Sequence, residues 1–145
     1  SNQEIDKFII KAFELCESNK TKMWGVYPIK NPFFMSHSIS PNNFIIGTLF
    51  GLIESGIRAD ERLMLKSDYD FTIQHILKYK KVCRFNDYTI DARHYGNKGG
   101  CCSYRTPELE GQMANLLVQK YPRHVKLNRK KGRENELLLH FKIKK

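Results

Sequence analysis

The chain has 145 residues, enough for one domain of roughly 100–150 residues around a single core, and 41% are hydrophobic and 28% charged, with nine Phe, seven Tyr and one Trp. That composition excludes a disordered chain, which lacks the apolar surface to offset the entropy of ordering. A formal charge of +10, from 25 Lys and Arg against 15 Asp and Glu, suits either an anionic partner such as nucleic acid or a merely basic surface.

In chain order, Ile5, Phe8, Ile9, Ala12, Phe13 and Cys16 recur at three- and four-residue spacing and predict an amphipathic helix over 3–17. Residues 18–21 break the pattern, and Met23–Tyr27 reads as an apolar strand ended by Pro28. Asn31-Pro32 opens a loop, because a residue before proline is driven from helical geometry. The run 44–53 reads as a second, covered strand, and 55–62 as a polar connection. That run is the longest apolar candidate, it is interrupted by Gly47, Thr48 and Gly51, and no run approaches the ~20 apolar residues that cross a bilayer, so no membrane association is expected.

Ser67 is a candidate N-cap for a helix ending near Tyr79, with Asp68 and Asp70 where the helix dipole favours negative charge. Residues 82–85 and 88–92 then predict two short strands around an Asn86-Asp87 turn. Gly96, Gly99 and Gly100 make 94–103 a loop, and 107–120 is a helix with Pro at its first turn. Residues 125–127 and 137–143 close the chain as two strands around a basic turn at 129–133.

Cys16, Cys83, Cys101 and Cys102 are even in number, yet the last two are adjacent and the first residues do not read as a secretory leader. They are expected to be reduced thiols of an intracellular protein, in cytoplasm or nucleus, or inside the host cell if the chain is viral. Cys83, His94, Cys101 and Cys102 lack the paired spacing of a zinc site.

Two segments carry residue types that do chemistry. Asp68 and Asp70, at a helix start after a covered strand, suit a base that takes a proton from an attacking hydroxyl, or simply complement the dipole. The 95–100 loop, with Lys98, Gly99 and Gly100, offers backbone N–H groups and an ammonium to a phosphate; an ordinary glycine-rich turn is the other reading. Arg93 and Arg105 add cations around it, and His94 adds a metal ligand, a proton donor or a structural hydrogen bond. Phe33 and Phe34, adjacent on a loop, cannot easily both turn inward, so one is available to stack on a sugar or base, whereas Trp24 is expected to be buried.

Three segments in order carry a resemblance. They are Trp24-Gly25-Val26-Tyr27-Pro28 with Asn31-Pro32-Phe33-Phe34-Met35; Ile46-Gly47-Thr48-Leu49-Phe50-Gly51; and Lys66-Ser67-Asp68-Tyr69-Asp70 through Arg84-Phe85-Asn86 to Tyr95-Gly96-Asn97-Lys98-Gly99-Gly100. Over about residues 5–143 the sequence resembles the TET-associated glycosyltransferase family. The resemblance implies a three-layer α/β sandwich of the GT-A-like (nucleotide-diphospho-sugar transferase) type, with 1–145 as a single domain forming the later half of the catalytic fold. It implies transfer of a sugar from a nucleotide-sugar to the hydroxyl of a hydroxymethylpyrimidine base in DNA.

Asp68 matches the Asp of the family's Lys-Glu-Asp motif and would be the base of an inverting transfer; Ser67 stands where the family has Glu. Asn31, Phe33 and Phe34 would help form the acceptor pocket, Asp70 would lie beside the substrate, and Arg93, Lys98, Gly99, Gly100 and Arg105 would meet phosphates. In the family an Asp-Asp-Asp run ends the strand before the helix that opens this sequence, and no such run occurs here. A divalent cation, Mn or Mg, is therefore expected only together with that motif. The alternative is a non-catalytic nucleic-acid-binding module of the same fold.

Overall fold

A computed structural model describes residues 1–91 and 103–142. It is a mixed α/β structure with three helices, a four-stranded mixed sheet and a two-stranded sheet. The chain forms two compact units, Ser1–Arg58 with Phe71–Asp91, and Ala59–Asp70 with Ala92–Lys145. Among the described residues no helix is long and apolar enough to cross a membrane.

The first unit holds α1 (Asn2–Ser18), β1 (Met23–Tyr27), β2 (Ile39–Ser40), β3 (Phe50–Leu52), most of α2 (Ser67–Tyr79) and β4 (Cys83–Thr89). The sheet order is β2-β4-β1-β3. Central β1 runs parallel to β4, with Gly25 opposite Arg84, and antiparallel to β3, with Trp24 opposite Gly51. The periodic face seen in the sequence explains α1: Ala12 and Cys16 are buried, and Phe8, Ile9, Phe13 and Leu15 pack on Trp24, Val26, Cys83 and Phe85. Phe8 and Phe13 meet the Trp24 ring edge-on at 5.8 and 5.4 Å, the geometry favoured by ring quadrupoles. Trp24 is buried as expected.

Two glycines make this packing possible. The Trp24 indole and the Phe13 ring occupy the space a Cβ at Gly51 would need, and the Ile45 side chain does the same at Gly25. Bulky side chains thus take the room that glycine leaves on a neighbouring strand.

Three elements differ from the sequence reading. The strand expected over 44–53 is only Phe50–Leu52. Upstream, the Thr72 hydroxyl lies 3.2 Å from the Ile45 N–H and 3.4 Å from its carbonyl, so a side chain satisfies the backbone that a ladder would have paired. The two strands expected around Asn86-Asp87 are the single strand β4, whose pairing with β1 jumps from Val26–Phe85 to Tyr27–Thr89. The buried Asn86 side chain anchors that bulge. It donates to the Ser38 and Ser40 hydroxyls at 2.9 and 2.7 Å and accepts from Arg84 Nε at 2.8 Å. Ser38 precedes and Ser40 ends β2, an edge strand hidden in what reads as a loop.

The second unit holds the start of α2, then α3 (Pro107–Lys120) and the hairpin of β5 (Val125–Leu127) and β6 (Leu137–Leu139). Pro107 sits in the first turn of α3, and the Thr106 hydroxyl accepts from Leu109 N–H at 3.1 Å. Ala114 and Leu117 are buried, as is Val125 at the start of β5. The last strand, expected over 137–143, spans Leu137–Leu139, and one further backbone bond, from the His140 N–H to the His124 carbonyl at 2.8 Å, extends the pairing; residues 143–145 lie outside the described part.

Because Gly51 abuts an indole rather than a flexible side-chain end, Gly51→Ala should destabilise the protein by about 1–3 kcal/mol, the cost of overpacking a filled core. A lower urea midpoint with an unchanged m-value is the expected result; an unchanged midpoint would contradict this packing.

Candidate functional site

The second unit gathers Lys66, Asp68, Asp70 and Arg105, whereas Asn31, Phe33 and Phe34 belong to the first. Arg93, His94, Lys98, Gly99 and Gly100 lie outside the described residues. Lys66 immediately precedes α2 in a left-handed backbone conformation, φ +61°, which a non-glycine residue adopts at a steric cost.

Glu110, in the first turn of α3, takes both nearby cations. Its carboxylate lies 2.9 Å from Lys66 Nζ and 3.0 Å from Arg105 Nη1. The pairs border a cavity of about 640 Å³ whose wall continues through Thr106, Arg133, Glu134 and Glu136. Three cationic and three carboxylate side chains line it, so the wall is close to neutral. Arg105 therefore already has a carboxylate partner, where the sequence suggested a phosphate. Glu134 is held below the usual carboxylate range by the Gly132 N–H, and then by its own.

Asp68 and Asp70 part company. Asp70 is fully buried, with Oδ1 2.7 Å from Lys120 Nζ and 2.5 Å from the Tyr121 hydroxyl, which donates to it. Lys120 also reaches Asp60 Oδ2 at 2.9 Å, and Arg62 forks onto both Asp60 oxygens at 3.0 and 2.7 Å. Burial of the Asp70 charge is thus offset by the Lys120 ammonium and the Tyr121 hydroxyl. Asp68 is partly accessible, and its Oδ1 accepts from the Tyr69 N–H at 3.0 Å. Burial, and then the charge of Asp68, pushes the Tyr69 hydroxyl up to about 12, so Tyr69 stays protonated beside it at neutral pH.

In the first unit both Phe33 and Phe34 are exposed, not one of the two. Asn31 shapes their turn, its side-chain oxygen accepting from Phe33 N–H at 3.1 Å and its carbonyl from Phe34 N–H at 3.0 Å. Two buried thiols lie deeper in this unit. Thr21 Oγ1 donates to the Cys16 carbonyl at 2.8 Å and lies 3.0 and 3.4 Å from the Cys16 and Cys83 sulfurs.

No protein-family model matches the chain, and neither a characterised protein nor a solved structure matches it. The family resemblance therefore rests on the quoted motifs alone. Among the described residues no three His, Cys, Asp or Glu side chains are grouped to hold a metal ion, and Asp60 and Asp70 share Lys120.

Sequence reading missed Asp60, Arg62, Glu110, Lys120 and Tyr121. Lys120 reads as an ordinary cation in a last helical turn, and nothing local pairs it with an aspartate 50 positions away.

The network carries a pH signature. Asp60 is held well below the usual carboxylate range by its Arg62 bonds first and Lys120 second, so its stabilisation is present above about pH 4 and is lost as pH falls below that. Burial first, then the bond to Asp70, raises Tyr121 above the usual phenol value. Burial opposes the charge on Lys120, but its bonds to Asp70 and Asp60 outweigh it and raise that group too. Both therefore give up their protons at higher pH folded than unfolded, and their stabilisation fades above about pH 10. Lys120→Met, which strands a buried carboxylate, should lower stability by roughly 3–5 kcal/mol at neutral pH and flatten the alkaline limb. Urea melts across pH test this, and an unchanged neutral plateau would contradict it.

Proposed function

We propose that this chain is the acceptor-side part of a three-layer, GT-A-like nucleotide-sugar glycosyltransferase that modifies the hydroxyl of a hydroxymethylpyrimidine base in DNA. The observation that carries the reading is the contrast between two carboxylates two residues apart. Asp70 is buried against Lys120 and Tyr121, while Asp68 stays partly accessible in the first turn of α2. A helix start after a sheet strand is where α/β proteins collect ligands, and a fixed neighbour such as Asp70 holds Asp68 in place.

In the proposed step the acceptor hydroxyl oxygen attacks the anomeric carbon of the donor sugar. The carbon–oxygen bond to the nucleoside diphosphate breaks as the new glycosidic bond forms, and the hydroxyl proton passes to the Asp68 carboxylate. The bound nucleotide-sugar donor supplies the leaving group. Among the described residues no three His, Cys, Asp or Glu side chains form a metal ligand set.

Asp68→Asn keeps an oxygen that can accept from the Tyr69 N–H, so the fold should survive. In the protein that carries this chain it should reduce sugar transfer by about 10²–10⁴-fold, the usual contribution of a general base, and leave DNA affinity within about twofold. Retained turnover would remove Asp68 from this role.

A second reading, a nucleic-acid-binding module without turnover, is favoured by the exposed Phe33 and Phe34 together with the charge of +10. It predicts DNA binding that weakens steeply with salt while no donor sugar is consumed.

A further inference from the structure

Phe33 and Phe34 are 87% and 63% exposed, far more than packing requires of two adjacent rings. Their centroids are 5.0 Å apart with planes at 89°, so each presents a face in a different direction. They are held firmly. Asn31 accepts from the N–H of both residues, Pro32 fixes φ immediately before them, and the turn is tied to the sheet where Ser36 N–H donates to the Asn86 carbonyl at 3.2 Å. Ile29 and Ile90, 65% and 44% exposed, add apolar surface at the ends of β1 and β4. Exposed rings on an anchored backbone cost less ordering entropy when another flat group lies on them than rings on an unanchored loop.

The nearby charge indicates which flat group. The Arg84 guanidinium lies 5.0 Å from the Tyr27 ring centroid, and its hydrogen bonds go to neutral partners, Asn86 Oδ1 at 2.8 Å and the Phe44 carbonyl at 3.2 Å. Among the described residues no carboxylate lies within ion-pair distance of it, in contrast to Lys66, Arg105 and Lys120. Arg84 is connected to both ends of the aromatic turn, through Tyr27 where the chain leaves β1 and through Asn86 where Ser36 returns. An uncompensated, half-buried cation beside exposed rings, on a chain of charge +10, complements a ligand that is both aromatic and anionic.

We infer that the turn over 31–34 is a stacking platform for an unpaired base, so the nucleic acid this chain takes is single-stranded or opened at the base it receives. Inside a duplex both faces of a base are covered by its neighbours, and a ring can reach one only after it leaves the stack. The inference rests on the nucleic-acid part of the reading above and not on sugar transfer.

The test uses the intact chain and fluorescein-labelled oligo-dT, alone and annealed to oligo-dA, read by anisotropy. Oligo-dT should bind about tenfold tighter than the duplex. Phe33→Leu and Phe34→Leu, which keep apolar bulk but remove the π-face, should each weaken oligo-dT about tenfold while duplex binding changes less than about twofold. Both side chains are exposed, so the core is not disturbed. Phe33→Trp should retain affinity, and its emission should be quenched by oligo-dT, whereas native Trp24 is buried. Leucine variants that bind as wild type, equal affinity for duplex, or an unquenched Trp would each overturn the platform. So would a dimer in sedimentation that is lost on replacing both rings by alanine, since a second copy would then be the occupant. Sugar transfer that is indifferent to the leucine variants would defeat the platform and leave the enzyme reading standing; quenching without transfer would do the reverse.

Discussion

A carboxylate taken out of water must find a cation or give up its charge, and Asp70 meets that requirement with Lys120. The pairing ties the last turn of α3 to the first turn of α2, and the shared contacts of Lys120 and Arg62 with Asp60 draw in the segment that precedes α2. The position of Asp68 follows from this, because a helix whose fourth residue is locked cannot reorient its second. The burial of one aspartate is thus what gives the next its defined place.

The sheet obeys a simpler rule of volume. Trp24 and Ile45 fill spaces left by Gly51 and Gly25, and α1 closes over the indole with Phe8 and Phe13. Periodicity made α1, β1, α2 and α3 legible to within a residue or so, because each presents a repeating apolar or capping pattern of its own. What it could not show were β2, the shortened β3 and the unbroken β4. There a side chain remote in sequence, Thr72 for Ile45 or Asn86 for Ser38 and Ser40, decides where backbone hydrogen bonds go.

The candidate site was legible in kind but not in detail. The segment around Asp68 and Asp70 stood out as a helix start with two carboxylates, and only packing reveals that one of them is sequestered. Arg105 reads as a phosphate contact, and its pairing with Glu110, one turn into α3, has no local signal in the sequence. Arg84 stands in the sequence only as part of a motif, since its lack of a carboxylate partner among the described residues is a property of three-dimensional surroundings and not of spacing. The aromatic turn was the most readable feature, because Asn-Pro-Phe-Phe combines a backbone restriction with two rings that cannot share one buried face.

The central claim is that this fold serves sugar transfer to a base hydroxyl. Its most direct test is mass spectrometry of an oligonucleotide with a single hydroxymethylpyrimidine after incubation with nucleotide-sugar donors and the protein that carries this chain. One added glycosyl unit, absent when the hydroxyl is replaced by hydrogen, is the predicted result. An oligonucleotide that the protein binds but returns at its original mass with every donor would contradict the claim.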